Sequence, residues 1–205
     1  MKIAIIGTGN VGGALAAKWA DKGHRIYLGV RNTAAFKGMN LLEKPGVSAH
    51  TIADAVAQAE VVVLAVPAMA TIETCAALGN TDGKIIIDTM NVVMGRGPQG
   101  FSNTSEAILA HTASPHVVKC FNTTGFNNIL DPVYGQQALD AFMAGDSAKA
   151  KDAARTLALD AGFENCYDIG GNDRFSLMEQ FAFFWINLAM FQGQGRDIGF
   201  KLLRR

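Results

Sequence analysis

The sequence is poor in the residue types that mark several common protein classes. Its three cysteines, Cys75, Cys120 and Cys166, are widely spaced and odd in number, which excludes a disulfide framework and leaves no paired-thiol motif for metal or redox work. They are expected to be buried and inert, as free cysteine commonly is. The four histidines, His24, His50, His111 and His116, have no second ligand at helical or turn spacing, so no metal is expected. Neither charge is in excess: 18 basic residues balance 18 acidic ones. Such a chain has no net field to draw a nucleic acid or an anionic membrane, and a small molecule is the expected partner. Long apolar runs are missing as well. The most apolar stretch lies near the C-terminus and is only about a dozen residues long before Asn187 interrupts it, whereas a membrane-spanning helix needs roughly 20. Met1-Lys2 leads directly into a strand-like run with none of the parts of a secretory signal, so a cytoplasmic protein is expected.

What the sequence does have is rhythm. Short apolar runs alternate with helical patterns through most of its 205 residues, the pattern of a parallel sheet with crossover helices built around one core. Strands are predicted at Lys2 to Ile6, His24 to Leu28, Val47 to His50, Glu60 to Val66, Lys84 to Asp88 and His116 to Phe121. The unbroken run Val61-Val62-Val63-Leu64 suits a strand covered on both faces. Helices are predicted over Asn10 to Lys22, from Thr51 through Ala59, over Thr71 to Leu78 and over Ser147 to Ala161. Thr51 and Asp54 form a start resembling a capping box. Ala138 to Ala144 and Glu164 to Ile169 read as late strands at the sheet edge. Val92 to Ser102 holds Gly95, Gly97 and Gly100, too many glycines for regular structure, and is expected as a mobile loop beside a ligand. The tail from Asp173 reads as helical, with Phe181, Phe183, Phe184, Trp185 and Phe191 serving core packing or a homodimer seam.

The first strand, turn and helix carry the most specific signal. Gly7-Thr8-Gly9-Asn10-Val11-Gly12 follows a strand and opens a helix, the context in which a G-x-G-x-x-G sequence binds a dinucleotide. Gly7 permits the tight turn, Gly9 lets backbone approach a pyrophosphate, and Gly12 permits close packing of helix on sheet, with the helix N-terminus supplying free amides. The predicted fold is therefore α/β, a Rossmann-type doubly wound and mostly parallel sheet over residues 1–170, with a short helical appendage over 171–205. After the second strand stands Gly29-Val30-Arg31-Asn32-Thr33, with no acid to accept a ribose hydroxyl. Arg31 is placed instead to pair with a ribose phosphate, so the expected cofactor is NADP(H), clamped by Arg31, Asn32 and Thr33 with Lys37 as a second charge. Ligands of open parallel sheets lie outside the strands' carboxyl ends. Ala65-Val66-Pro67, Asn91 and the segment from Phe121 to Gly125 are thus expected at the nicotinamide half. For Asn91, Asn122 and Thr123, turn capping is the competing reading.

Several stretches together resemble the NADPH-dependent reductases of coenzyme F420, a deazaflavin, and do so across essentially the whole chain. They are Ile5-Ile6 with the glycine motif, Val61 to Pro67, Ile87-Asp88 with Asn91, Val118-Lys119-Cys120-Phe121-Asn122-Thr123, Ala144-Gly145-Asp146, and the ending Gly195-Arg196-Asp197 to Lys201-Leu202-Leu203. The group is similar to the cytoplasmic reductase domain of six-transmembrane metalloreductases. The resemblance implies hydride exchange between NADP(H) and a flavin-like ring, with F420, FMN or FAD as co-substrate. Such transfer needs alignment and water exclusion more than an acid or a base. Met90, Phe121 and Phe126 are the candidates to pack an acceptor ring, and Asn122, Thr123 and Thr124 to engage its polar edge. Two rival readings remain. A hydroxy-acid dehydrogenase or imine reductase would carry a long helical domain, for which the thirty-odd residues after the last strand are too few. A non-enzymatic sensor of the NADP redox state would dock a partner through the aromatic tail.

Overall fold

The computed structural model describes residues 1–205. Six strands run parallel: β1 (Lys2–Ile6), β2 (Arg25–Gly29), β3 (Val47–His50), β4 (Val61–Leu64), β5 (Ile85–Asp88) and β6 (His116–Cys120). The helices between them are α1 (Asn10–Asp21), α2 (Ile52–Gln58), α3 (Thr71–Ala77) and α4 (Thr104–His111). After β6 come the short α5 (Phe126–Leu130), a small hairpin of β7 (Val133–Tyr134) and β8 (Gln137–Ala138), then β9 (Asp140–Ala144), α6 (Ala148–Ala161), β10 (Asn165–Asp168) and α7 (Phe175–Ile186). The sheet order is β10-β9-β6-β5-β4-β1-β2-β3. Its first six strands in sequence take the dinucleotide-binding order 3-2-1-4-5-6, so the chain is a Rossmann-type α/β fold. β9 joins β6 antiparallel and β10 joins β9 parallel. β9 is thus an interior strand rather than an edge, and only β10 closes that side.

Alternation along the strands feeds two cores. Ile3, Ile5, Val61, Val63, Ile87 and Val118 face Leu15 and Trp19 of α1 and Leu157 of α6. Ala4, Ile6, Val62, Leu64 and Ile86 face Val56 of α2, Cys75 of α3, Ile108 of α4 and Phe175 and Met178 of α7. The period of two explains why these central strands read as continuous apolar runs: both faces are covered. Local signals set the ends. Thr51 accepts the Asp54 amide and Ser147 that of Ala150, while α6 stops at Gly162 with φ of 100°.

The tail departs from the sequence expectation. It is helical only to Phe191, through a π turn at Asn187–Phe191, and Gly193 and Gly195, with φ of 69° and 77°, then release it into an extended strap. The strap returns across the sheet edge: Ile198 O accepts from Trp185 Nε1 and Asn128 Nδ2, and Phe200 O from the Asp140 amide. The aromatic tail therefore divides. Trp185 is buried and Phe181 packs on Phe142 and Phe200, whereas Phe183, Phe184 and Phe191 face outward. No helix is long and apolar enough to cross a membrane.

Candidate functional site

The turn after β1 shows why its glycines are there. Gly7 has φ of 99°, and a Cβ on it would strike the carbonyl of Ala65. A Cβ on Gly12 would strike the carbonyl of Gly7 and come within 3.1 Å of Ala65 Cβ. The fold itself demands both. Gly9 differs: its φ is −70°, which any residue adopts, and nothing lies within 4 Å of where its Cβ would be. A side chain there would project into open cleft, so this glycine answers to something that fills the cleft rather than to packing. α1 begins at that point with no side-chain cap, leaving its first amides for an incoming anion. Backbone donors beside a cradle that a Cβ would fill suit a dinucleotide's pyrophosphate.

A cleft of about 690 Å³ runs from this turn over the carboxyl ends of β1, β2 and β4. Of the expected cofactor residues, it is lined by Gly7, Thr8, Gly9, Arg31, Asn32, Lys37, Ala65, Val66 and Pro67. Lys37 Nζ donates to Asn10 Oδ1 at 2.9 Å, which places Asn10 at the margin. Asn32 Oδ1 accepts the Ala34 amide at 3.0 Å, holding the turn after β2. Besides Asn10, five expected residues do not form the wall: Gly12 sits beneath the turn, Val11 packs against the core, Thr33 is exposed outside the cleft, Asn91 lines a neighbouring recess and Asn122 is buried. Unforeseen lining comes from Ala35 and Phe36, from Ala70 at the N-cap of α3 and from one face of that helix, namely Glu73, Thr74 and Ala77. Their spacing of three and four residues is the signal that would have revealed them. Glu73 is the single acid of the wall, against the two cations Arg31 and Lys37.

Beyond Pro67 a second recess of about 380 Å³ opens, lined by Pro67, Ala68, Met69, Asn91, Val93, Met94 and Arg96. Below it Asn91 and Asn122 brace the ends of β5 and β6: Asn91 Nδ2 donates to Asn122 O and Asn122 Nδ2 to Asn91 Oδ1, each at 2.8 Å. Asn122 Oδ1 is buried without a partner. Thr123 is buried, and Thr124 Oγ1 accepts from Asn128 Nδ2 at 2.8 Å. Phe126 is half-buried under the Arg196 guanidinium, 5.4 Å from the ring centroid. Two candidates for packing an acceptor are corrected. Phe121, with φ of 63°, turns its ring into the core against Trp19 and Phe163, and Met90 is buried in the other core with its sulfur against Thr71. Burial of these large apolar side chains against the sheet outcompetes exposure at the rim.

The chief omission of the sequence reading is a buried ion cluster. Lys119 pairs in register with Asp88 and is fully buried. Its Nζ lies 2.7 Å from Asp88 Oδ2 and 2.8 Å from Glu179 Oε1 and donates to Thr104 Oγ1 at 2.8 Å. Asp88 also accepts from Ser105 Oγ at 2.6 Å and from the Met90 amide at 2.8 Å. Buried charges are tolerated when saturated in this way. Nothing local in the sequence marks the cluster, because Glu179 comes from α7. Two of the thiols are held protonated: burial, with the Asp88 charge second, pushes Cys75 up to about 12, and burial foremost, then its contact with Cys166, raises Cys120. A thiolate nucleophile is thereby removed at neutral pH.

Comparison with known proteins agrees with this geometry. Residues 2–92 match the family of coenzyme F420-dependent NADP oxidoreductases. The chain is 28% identical to an F420-dependent NADP reductase of Methanothermobacter marburgensis over 98% of each chain. A crystal structure from Arthrobacter sp. FB24, provisionally described as an F420-dependent NADP-reductase, aligns over 100% of both chains with 31% identity and a TM-score of 0.84. A reductive aminase from Aspergillus terreus, solved with NADPH and ethyl-5-oxohexanoate, shares the fold at 21% identity and a TM-score of 0.68, over 94% of this chain but 63% of its own. With a full-length structural relative above 30% identity and a family match over its nucleotide-binding half, the chain belongs to the coenzyme F420-dependent NADP oxidoreductases.

Proposed function

We propose that this NADP-dependent oxidoreductase exchanges a hydride between NADP(H) and a deazaflavin or flavin ring. The observation that carries the proposal is the pair of recesses that share Pro67, one of about 690 Å³ and one of about 380 Å³. In the first, Gly7, Thr8 and Gly9 with the amides of Asn10, Val11 and Gly12 take the pyrophosphate, and Arg31, Asn32 and Lys37, with Thr33 at the margin, take the ribose phosphate. Ala65, Val66, Pro67, Asn91 and Asn122 bound the nicotinamide end, where the bound cofactor supplies or accepts the hydride. In the second recess, Met69, Val93 and Met94 offer apolar contact to a planar ring and Arg96 a charge to its polar side. Thr123 and Thr124, next to Asn122 in the chain, are further candidates for the acceptor's edge but do not line the recess. The chain's contribution is alignment and exclusion of water, since neither recess is lined by a histidine or an activated thiol.

The F420 acceptor is supported by the family, while FMN and FAD rest only on the resemblance to the reductase domain of the metalloreductases. The outward Phe183, Phe184, Met190 and Phe191 support a homodimer. Stopped-flow oxidation of NADPH in the presence of deazaflavin, FMN or FAD tests the function. Rapid oxidation dependent on the deazaflavin is expected; oxidation that no ring accelerates overturns the proposal and leaves a redox sensor as the better reading.

A further inference from the structure

The loop that forms one side of the second recess has both its feet on one side chain, with Phe101 packed edge-on against His111 of α4 as a further contact. Residues 93–103 run from Val92, beyond the end of β5, to Thr104, the first residue of α4. Between those points the backbone makes two local hydrogen bonds, Arg96 N to Val93 O and Phe101 N to Pro98 O. Both feet end on Glu179 of α7. Its Oε2 accepts from the Val92 amide at 2.9 Å and its Oε1 from the Thr104 amide at 3.1 Å. Beside the second foot, Asn103 Nδ2 donates to Ser176 Oγ at 3.0 Å, one helical turn earlier on α7. Glu179 is buried and held at 2.8 Å by Lys119. A carboxylate offers two oxygens and no donor, so it takes both feet and the ammonium at once; an amide in its place would turn an N–H toward one of them.

We propose that Glu179 is a positioning residue that fixes both feet of the 93–103 loop and so sets the width of the recess in which, on the reading above, the acceptor ring is seated. Val93, Met94 and Arg96 on the loop then face Pro67 and Met69 at a fixed distance. No lining residue of the cofactor cleft lies on the loop or on α7. The residue touches the cofactor end only indirectly, through Asn122 Nδ2, which donates to Met178 O at 3.2 Å, so its loss should weigh on the acceptor more than on the cofactor, which a merely structural role would not do.

Hydrogen exchange of the ligand-free protein, together with steady-state kinetics, tests this in Glu179→Ala and in the isosteric Glu179→Gln, which keeps the volume should the alanine variant fail to fold. Exchange across 92–104 is expected to accelerate by about tenfold or more in Glu179→Ala and by less in Glu179→Gln, while β1 and β4 stay protected. The KM for the ring acceptor should rise by about tenfold with that for NADPH within about twofold. Unchanged loop exchange overturns the proposal, as does a parallel rise in both KM values. If the wild-type protein reduces no ring, it is the acceptor reading that fails, and loop exchange still decides whether Glu179 holds the feet.

Discussion

The two halves of the site are built from different materials. The cofactor cleft is mostly backbone and small side chains: Gly7 and Gly12 let β1, α1 and Ala65 close up, Gly9 leaves room, and two flexible cations stand at the far end. The acceptor recess rests on side chains that meet only in the folded chain. Asn91 and Asn122 tie β5 to β6 where the nicotinamide end meets this recess, and Glu179, Lys119 and Asp88 join α7 to the loop and the sheet. A backbone site tolerates variation nearby as long as its glycines persist. A site resting on a buried charge cluster couples to everything packed on that cluster. On the proposed reading, one half is a stable dock for a shared cofactor, and the other is where specificity for the second substrate is set.

Three further experiments would break or sharpen this contrast. The largest effect is expected for Gly9→Val, which fills the cradle without touching the fold. NADPH affinity should fall by about 100-fold or more, about 2.7 kcal/mol, with the melting temperature shifted by no more than about 2 °C. Calorimetric titration beside thermal unfolding checks it, and tight NADPH binding by the variant would show that the pyrophosphate does not lie there. Next is Arg31→Ala. Loss of a charge-assisted contact should raise the KM for NADPH by about 10- to 100-fold and leave that for NADH nearly unchanged; equal losses for both would remove Arg31 from the ribose-phosphate clamp. The smallest concerns the outward face of α7. Phe184→Asp combined with Phe191→Asp should lower the sedimentation mass from two chains of 21.8 kDa to one. Because α7 carries Glu179, the acceptor KM should move by about two- to threefold, a coupling of roughly 0.5 kcal/mol, with NADPH binding untouched. A wild-type protein that sediments as a single chain would discard the homodimer.

Legibility followed the same division. The turn at Gly7 to Gly12 was readable because its residues are neighbours in sequence and each answers to a local demand. β1, β4 and β5 were readable because strands covered on both faces become apolar runs. Arg31 was readable from its place after β2. Glu73 and Thr74 were within reach, since they repeat at helical spacing, but no adjacent motif draws attention to α3. Lys119 gave no direction at all, because a strand position does not say which partner waits across the sheet. Phe121 was misplaced for a related reason: a residue just past a strand end can turn either way, and its φ of 63° and the neighbouring Trp19 turned it inward.

By itself, then, the sequence determined the α/β class, the order of the first six strands' elements, the phosphate turn and the charge at the ribose end, all of them consequences of periodicity and of residues close along the chain. Only the tertiary structure decided that β9 lies inside the sheet, that the tail after Phe191 returns as a strap, and that one carboxylate on α7 holds a loop whose feet are 87 and 75 residues away in sequence. The physical reason is common to all three. Burial energy and hydrogen bonding are satisfied between segments distant in sequence, and such partners have no spacing for a sequence pattern to record.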